Sequence, residues 1–292
     1  MSRREVGIAY LCILPWLIGF VVFTAYPLII SGYYSFTHYP ILGGPTWAGL
    51  DNYRDLLEDE LFWKSLRVTA VYSAFAVPGS VVIGYAIAML LNQRVRWLRV
   101  WRTAYFLPSL VPAIAGAFLW SWIFNGQYGL VNGVLRQFGV EGPQWFASEE
   151  WVLPAFVIMT LWGAGGGMIL YLAALQQVPS TLYDAAEIDG ANAWHRLIHI
   201  SIPMTSPVIL FQFVTGLIAS FQIFTAGYIV TNGGPNNASL FYVLYLYRNG
   251  WQDFQMGYAS ALAWVLVLIM MVLTLVTLLV ARRAVYYEYG GR

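Results

Sequence analysis

A chain of 292 residues could form one or two soluble domains, but 59% hydrophobic and only 10% charged residues exclude a water-facing fold, because soluble domains carry about 25% charge. The formal net charge of +1 leaves no electrostatic footprint for nucleic acid. One cysteine, Cys12, excludes an internal disulfide and a cysteine-based metal site. One lysine, Lys64, stands in Phe-Trp-Lys-Ser and excludes the Gly-Lys-Ser/Thr turn of an ATP-binding P-loop on this chain.

A membrane helix needs about 20 apolar residues. Six runs reach that length, at 7–30, 68–91, 103–124, 152–175, 205–230 and 256–280. They predict an all-α polytopic membrane protein forming a single transmembrane domain over 1–292. The first run follows Arg3 and Arg4 but is too long for a signal peptide and lacks a small-x-small cleavage site, so it is expected to be an uncleaved span. In the loop that follows, Leu50–Leu57 and Glu60–Arg67 are expected to form short surface helices. This loop is acidic, with Asp51, Asp55, Glu58, Asp59 and Glu60, whereas Asn92 to Arg102 holds four arginines and no acid. Basic residues divide ten to five between the two sides, with Arg3, Arg4, Arg94, Arg96, Arg99, Arg102, Arg196, Arg282, Arg283 and Arg292 on one. Arg54, Lys64, Arg67, Arg136 and Arg248 are on the other. Positive charge marks the inner side, so both termini are expected in the cytoplasm of a multi-pass membrane protein. Tyr33, Tyr34, Phe36, Trp120, Trp122, Trp145, Trp151, Tyr286 and Tyr287 cluster at span ends, as an interfacial belt would. Pro15, Pro78, Pro108, Pro112 and Pro154 predict kinks within the spans. No internal repeat stands out, which disfavours an inverted-repeat secondary carrier.

The fourth run contains Trp162-Gly163-Ala164-Gly165-Gly166-Gly167. Gly weakens a helix, so this string needs a reason. Close helix packing through Gly163 and Gly167 is one; room for a ligand against the backbone, with Trp162 as a flat wall, is the other. On the fifth run, Gly216, Ser220, Phe221, Gln222 and Phe224 mix small, polar and aromatic side chains, and the polar ones want partners on a neighbouring helix or on a solute. As drawn, the six runs contain no Asp, Glu, Lys, Arg or His. An ion-coupled carrier keeps such groups at bilayer depth because they do its work. Their absence predicts an external energy source and a neutral, hydroxyl-rich solute. A self-contained secondary carrier is the alternative, and a membrane-embedded enzyme is disfavoured by the missing acid, base and metal ligands.

Between the fourth and fifth runs lies a polar stretch, 176–204. Pro179 ends the preceding span. Thr181 is placed to cap a new helix with Asp184 three residues on, and Leu182, Ala185, Ala186 and Ile188 give it a mostly smooth surface. Gly190 suits a helix stop, and Asn192 can cap a second helix over Ala193–His199 at about a right angle to the first. Pro203 and Pro207 punctuate the return to the membrane. His195 and His199 stand four apart on one helical face, but no third ligand of the right type lies alongside, so a polar contact with a partner protein is favoured over a metal. Local chemistry alone would also allow an ordinary loop helix.

The same stretch resembles the EAA loop of ABC importer permeases, through Asp184-Ala185-Ala186, Asp189-Gly190-Ala191, Ile200-Ser201-Ile202-Pro203 and Pro207. Asp184, Leu197 and Ile202 depart from the usual Glu, Phe and Leu by mild changes of size. Thr231-Asn232-Gly233-Gly234-Pro235 is similar to the T-x-G-G-P turn of the carbohydrate-uptake branch, and Gly49-Leu50-Asp51-Asn52-Tyr53 to its G-L-x-N-Y segment. The resemblance covers nearly the whole chain. It implies the type I importer permease fold with six transmembrane helices and a cytoplasmic coupling helix. Tyr183, Asp184, Ala185, Ala186, Glu187, Asp189, Gly190 and Ala191 would couple to the ATPase. It further implies a second permease subunit forming a heterodimer, two ATP-binding cassette subunits and an extracytoplasmic solute-binding protein. ATP and Mg would sit on the partner ATPase, with no cofactor, catalytic residue or metal in this chain. Maltose-type members contact sugar from the spans flanking the EAA loop. The corresponding positions fall near Met159, Trp162, Gly163, Gly166, Gly216, Ala219, Ser220 and Ile223, with Gln222 beside them, and only Gly163 keeps the residue type.

Overall fold

The computed structural model describes residues 3–93, 96–282 and 285, with side chains from Leu11 onward. The expectations for Arg94, Arg283, Arg292, Tyr286 and Tyr287, and for the side chains of Arg3 and Arg4, lie outside the described residues. Among those described, five helices are long and apolar enough to cross a membrane: Leu11–Tyr34, Glu60–Leu91, Val152–Gln177, Ala193–Val230 and Met256–Ala281. A bent pair, Leu98–Leu110 with Ala113–Ile123, makes a sixth if counted as one span. The chain divides into two compact units, Met1–Phe62 with Leu246–Ile269, and Trp63–Tyr245 with Met270–Arg292.

In the first unit, α1 (Arg3–Phe20) passes through a π-turn at Val21–Ala25 into α2 (Tyr26–Tyr34). Pro27 follows the π-turn. A proline has no amide hydrogen and crowds the carbonyl four residues back, and the wider turn relieves that crowding. A two-residue ribbon pairs β1 (Thr37–His38) with β2 (Thr46–Trp47), antiparallel, with Thr37 opposite Trp47. The short helix α3 (Asp51–Glu58) is tied to this ribbon by its own motif residues. The Asn52 amide donates to the Ser35 and Thr37 carbonyls, each at 2.9 Å, and the Tyr53 hydroxyl to Ser35 Oγ at 2.8 Å. The resembling segment at 49–53 is thus a structural clasp. The Trp264 indole donates to Ser31 Oγ at 3.2 Å, and the Tyr258 hydroxyl to Asp59 Oδ2 at 2.6 Å.

The expected surface helix Glu60–Arg67 does not stand alone. It forms the first turns of α4 (Glu60–Leu91), which runs unbroken for 32 residues, through Pro78. Nothing at 67–68 stops a helix: no Gly, no Pro and no cap intervenes. The second unit is built on α4. Small residues let α4 pack closely on the 152–177 span: a Cβ on Gly79 would reach Leu161 at 2.7 Å, and one on Gly84 the Ala164 carbonyl oxygen at 2.9 Å. One buried cluster joins Tyr85, Ala88 and Leu91 to Met168, Tyr171, Leu172 and Leu175. A second joins Trp120, Phe124, Trp145 and Ala155. Trp120 and Trp145 are therefore core residues rather than members of an interfacial belt. The Trp145 indole donates to Asn132 Oδ1 at 2.8 Å, which satisfies it inside.

The third run is not a straight span over 103–124. It is α5 (Leu98–Phe106) with a 3₁₀ turn at Leu107–Leu110, then α6 (Ala113–Ile123), bent by 97°. Val111 is extended at φ −70°, ψ 125°, as the residue before a proline prefers, and Pro112 stands just before α6. After α7 (Leu130–Gln137), the fourth span divides at the glycine string: α8 (Val152–Trp162), a 3₁₀ turn at Ala164–Gly167, and α9 (Met168–Gln177). Pro154 lies in the first turn of α8, where it removes no helical hydrogen bond, so it produces no kink. The loop carries α10 (Ser180–Ile188) and α11 (Ala193–Arg196). α11 runs through a π-turn at Leu197–Ser201 directly into α12 (Ile202–Phe221), so Pro203 does not separate helix from span. The π-turn before it repeats the arrangement before Pro27. α12 ends at Phe221, and α13 (Thr225–Val230) resumes after Gln222–Phe224 and packs on α6. α14 (Tyr242–Tyr247) and α15 (Met256–Ala281) complete the chain.

Candidate functional site

Within the second unit, a cleft of about 550 Å³ opens between α4, the α8–α9 break and α12. Helical spacing aligns its walls. Tyr72, Ala76 and Ser80 stand four apart on α4, and Gln212, Gly216 and Ser220 four apart on α12, while Gly163 and Gly167 stand at the break. No charged side chain lines the cleft. Its polar groups are neutral. The Tyr72 hydroxyl and Thr160 Oγ1 bond at 2.8 Å, and Ser220 Oγ donates back to the Leu217 carbonyl at 2.8 Å. The Gln212 amide has no hydrogen-bond partner among the described residues. A smaller hollow of about 250 Å³ is lined by Met159, Trp162 and Gly163 on one side and Val111, Trp120 and Ala226 on another. Trp120 packs edge-on against Trp162, centroids 5.8 Å apart, and its buried indole nitrogen has no partner among the described residues.

The structure therefore brings Gly163, Gly216, Ala219, Ser220 and Ile223 into the cleft, and Met159 and Trp162 with Gly163 into the hollow. It places Gly166 and Gln222 in neither. A Cβ on Gly166 would meet Ser109 at 3.0 Å, and Gln222 Nε2 faces Met270 Sδ at 3.8 Å. The close packing expected through Gly163 and Gly167 is not made at Gly163; it falls on Gly165 instead, while Gly163 offers room. Gly165 packs, since its Cβ would sit 1.9 Å from the Tyr105 carbonyl oxygen. Gly163 faces open space, its Cβ meeting only the Thr160 carbonyl at 3.5 Å. Gln212, Tyr72, Thr160 and Tyr171 were not singled out by sequence reasoning. An amide within the apolar run 208–218 was the available signal for Gln212.

The polar loop forms a rigid element. α10 begins one residue before Thr181, with Pro179 at the N-cap, so Thr181 lies inside the helix and caps nothing. Its end is a Schellman motif: Gly190 N donates to the Glu187 carbonyl at 3.1 Å, and Ala191 N to the Ala186 carbonyl at 2.8 Å. Gly190 sits at φ +74°, where a residue without Cβ is at home. Asn192 Oδ1 accepts from His195 N at 2.9 Å and caps α11 as expected. Arg196 reaches Glu187 at 3.9 Å, closing the loop between the two helices. Tyr183 and Ala186 turn inward, while Asp184, Ala185, Glu187, Asp189 and Gly190 are exposed. Ile188 is 88% exposed and Trp194 65%, an apolar tip on a polar loop. The imidazoles of His195 and His199 stack at 5.9 Å, each with Nδ1 bonded to an oxygen, of Asn192 or of the His195 backbone.

The turn at 231–235 is latched: Thr231 Oγ1 bonds Ser239 Oγ at 2.7 Å, and Ser239 Oγ donates to the Gly234 carbonyl at 2.6 Å. It leads to Tyr242, whose amide donates to Thr69 Oγ1 at 2.9 Å. Burial, with Tyr245 adding to it, pushes the Tyr242 phenol above the usual tyrosine range, so it stays neutral.

A set of membrane spans holding a neutral cleft, with a polar loop of two helices between two spans, is the layout of a permease. Residues 80–285 match the family of the binding-protein-dependent transport system inner membrane component. The chain belongs to that family and is the transmembrane permease subunit of an ABC importer in the inner membrane. It is 36% identical over 291 residues to the probable ABC transporter permease protein YesP of Bacillus subtilis (strain 168), covering 98% of this chain and 94% of that one. It is 30% identical to the sulfoquinovosyl glycerol transport system permease protein SmoG of Agrobacterium fabrum, covering 94% and 90%. Its fold is that of a chain in the crystal structure of a bacterial alginate ABC transporter bound to its periplasmic protein, with TM-score 0.85, 22% identity and 96% of each chain covered.

Proposed function

We propose that this permease imports a sugar or oligosaccharide, working with a second permease subunit, two ATP-binding cassette subunits and an extracytoplasmic solute-binding protein. ATP and Mg belong to the cassette subunits, and this chain makes and breaks no bonds. The single observation that carries the reading is α10: a helix closed at its C-terminal end by a Schellman motif, with Ile188 and Ala185 exposed on the outside of the fold. An exposed apolar tip on a polar loop is a surface awaiting a partner. Seated in a groove of the ATPase, α10 would move with it as one body and swing the spans. Both termini and α10 then lie in the cytoplasm, in line with the ten-to-five division of basic residues.

The solute class follows from the cleft. Neutral hydroxyl and amide groups with an aromatic wall suit a polyhydroxyl ligand, and the names of relatives that carry glycosides point the same way. Gly163, Gly216, Ser220 and Ile223 would border its path through the cleft, and Met159 and Trp162 the adjoining hollow. A single cysteine at Ile188, in a Cys12→Ser background, should cross-link to the co-purified ATPase subunit in membranes, with a yield that changes on adding ATP. No adduct, or labelling of that cysteine by an impermeant thiol reagent in intact cells, would overturn the reading.

A further inference from the structure

The cleft and α10 are joined by a chain of side chains. Tyr171 lines the cleft, and its ring packs edge-on against Tyr85 at 5.5 Å. The Tyr85 hydroxyl bonds Thr205 Oγ1 at 3.0 Å. Thr205 spends its own proton on the Ser201 carbonyl, at 2.7 Å, so Tyr85 is the donor. Ser201 Oγ in turn bonds the Tyr183 hydroxyl at 3.0 Å, and Tyr183 is on α10. Ser201 and Thr205 are buried, at the junction of the π-turn and α12. That single turn is gripped from α10 on one side and from α4 on the other.

We propose that Tyr183, Ser201, Thr205 and Tyr85 form a hydroxyl relay that transmits the displacement of α10 to the cleft wall at Tyr171. This rests on the reading of α10 as the seat of the ATPase. The four are positioning residues: none of them borders the cleft, which the chain of contacts meets at Tyr171. Apolar contacts can slide past one another when a helix moves. The hydroxyls of Ser201 and Thr205 are buried away from solvent, so the pairs they make with Tyr183 and Tyr85 hold their distance and pull together. The relay also supplies what coupling between sites requires, a contiguous set of packed groups tied to both.

The test uses the whole transporter with its ATPase subunits, a Cys12→Ser background and a single cysteine at Thr215, which lines the cleft. The rate of its labelling by N-ethylmaleimide is compared without nucleotide and with ATP plus vanadate. In the parent this rate should change by about fivefold or more, the low end of coupling between sites. Thr205→Val should reduce the change to less than about twofold while ATP hydrolysis and subunit assembly persist, Thr205→Ser should restore it, and Tyr183→Phe should reduce it likewise in transporter that still assembles. Tyr183→Phe removes only a half-buried hydroxyl and keeps the test decisive if Thr205→Val does not assemble. Parent-like change in Tyr183→Phe, or loss only in step with loss of assembly, would overturn the relay. Absence of any nucleotide effect in the parent would instead overturn the reading of α10, and the relay with it.

Discussion

Gln212 shows what a single residue can carry in this cleft. Its amide lies close enough to Gly167 that a Cβ there would meet Nε2 at 2.5 Å, and it bonds to no described residue. An unpaired amide facing a cavity within an apolar helix is placed for a ligand rather than for packing. Gln212→Leu should leave thermal stability of the purified complex unchanged and weaken uptake, raising the half-saturating solute concentration about fivefold, the worth of one neutral hydrogen bond of about 1 kcal/mol. Uptake kinetics in proteoliposomes would check this. The same scale shows where sequence reasoning stops. The glycine string announced itself, but Gly163 faces a cavity and Gly165 a backbone carbonyl. The 3₁₀ turn at Ala164–Gly167 resets the helical phase, so spacing along the sequence could not say which glycine points where.

At the scale of elements, α10 and α11 owe their stiffness to signals that were legible. Gly190 and Asn192 are local devices, and local chemistry is written in neighbouring residues. Gly190→Pro cannot adopt φ +74°, since proline is held near −65°. It should abolish coupling, seen as ATP hydrolysis without uptake or as loss of the ATPase on purification. Glu187→Arg sets two like charges where the 3.9 Å pair with Arg196 stood. Glu187 is largely exposed, so the cost to stability should be within about 1 kcal/mol, while the altered docking face lowers uptake in the same assay. The other elements were harder to bound. Pro112 warned of a kink, but a 97° bend also depends on α13 packing against α6, a contact between segments a hundred residues apart. The merging of Glu60–Arg67 into α4, and of α11 into α12 through a π-turn, is hidden by polar or proline residues of the kind that also mark helix ends. Thr181 failed as a cap because Pro179 starts the helix first.

On the scale of the whole molecule, the balance of charge is the informative feature. The residues lining the cleft include no Asp, Glu, Lys, Arg or His with which to bind a proton or a coupling ion. Uptake in proteoliposomes holding the full assembly should therefore persist when a protonophore and a sodium ionophore collapse all gradients. It should stop when internal ATP is omitted. Uptake by this chain alone on an ion gradient would contradict that expectation. Composition and three short motifs sufficed for this level of the fold. The solute itself stayed out of reach, because specificity resides in a few cleft-facing side chains whose orientation depends on tertiary contacts.

Two walls of the cleft bend where the chain interrupts its own helices, at Gly163–Gly167 and beside Ile223, and the adjoining hollow borders a third interruption at Val111. Glycine, proline and close main-chain approach determine those bends. The cavity's outline is thus drafted in the backbone, leaving the side chains that point inward free to be exchanged. Such a scaffold can be retuned from one cargo to another by a handful of replacements, without redrawing the frame that the motor grips.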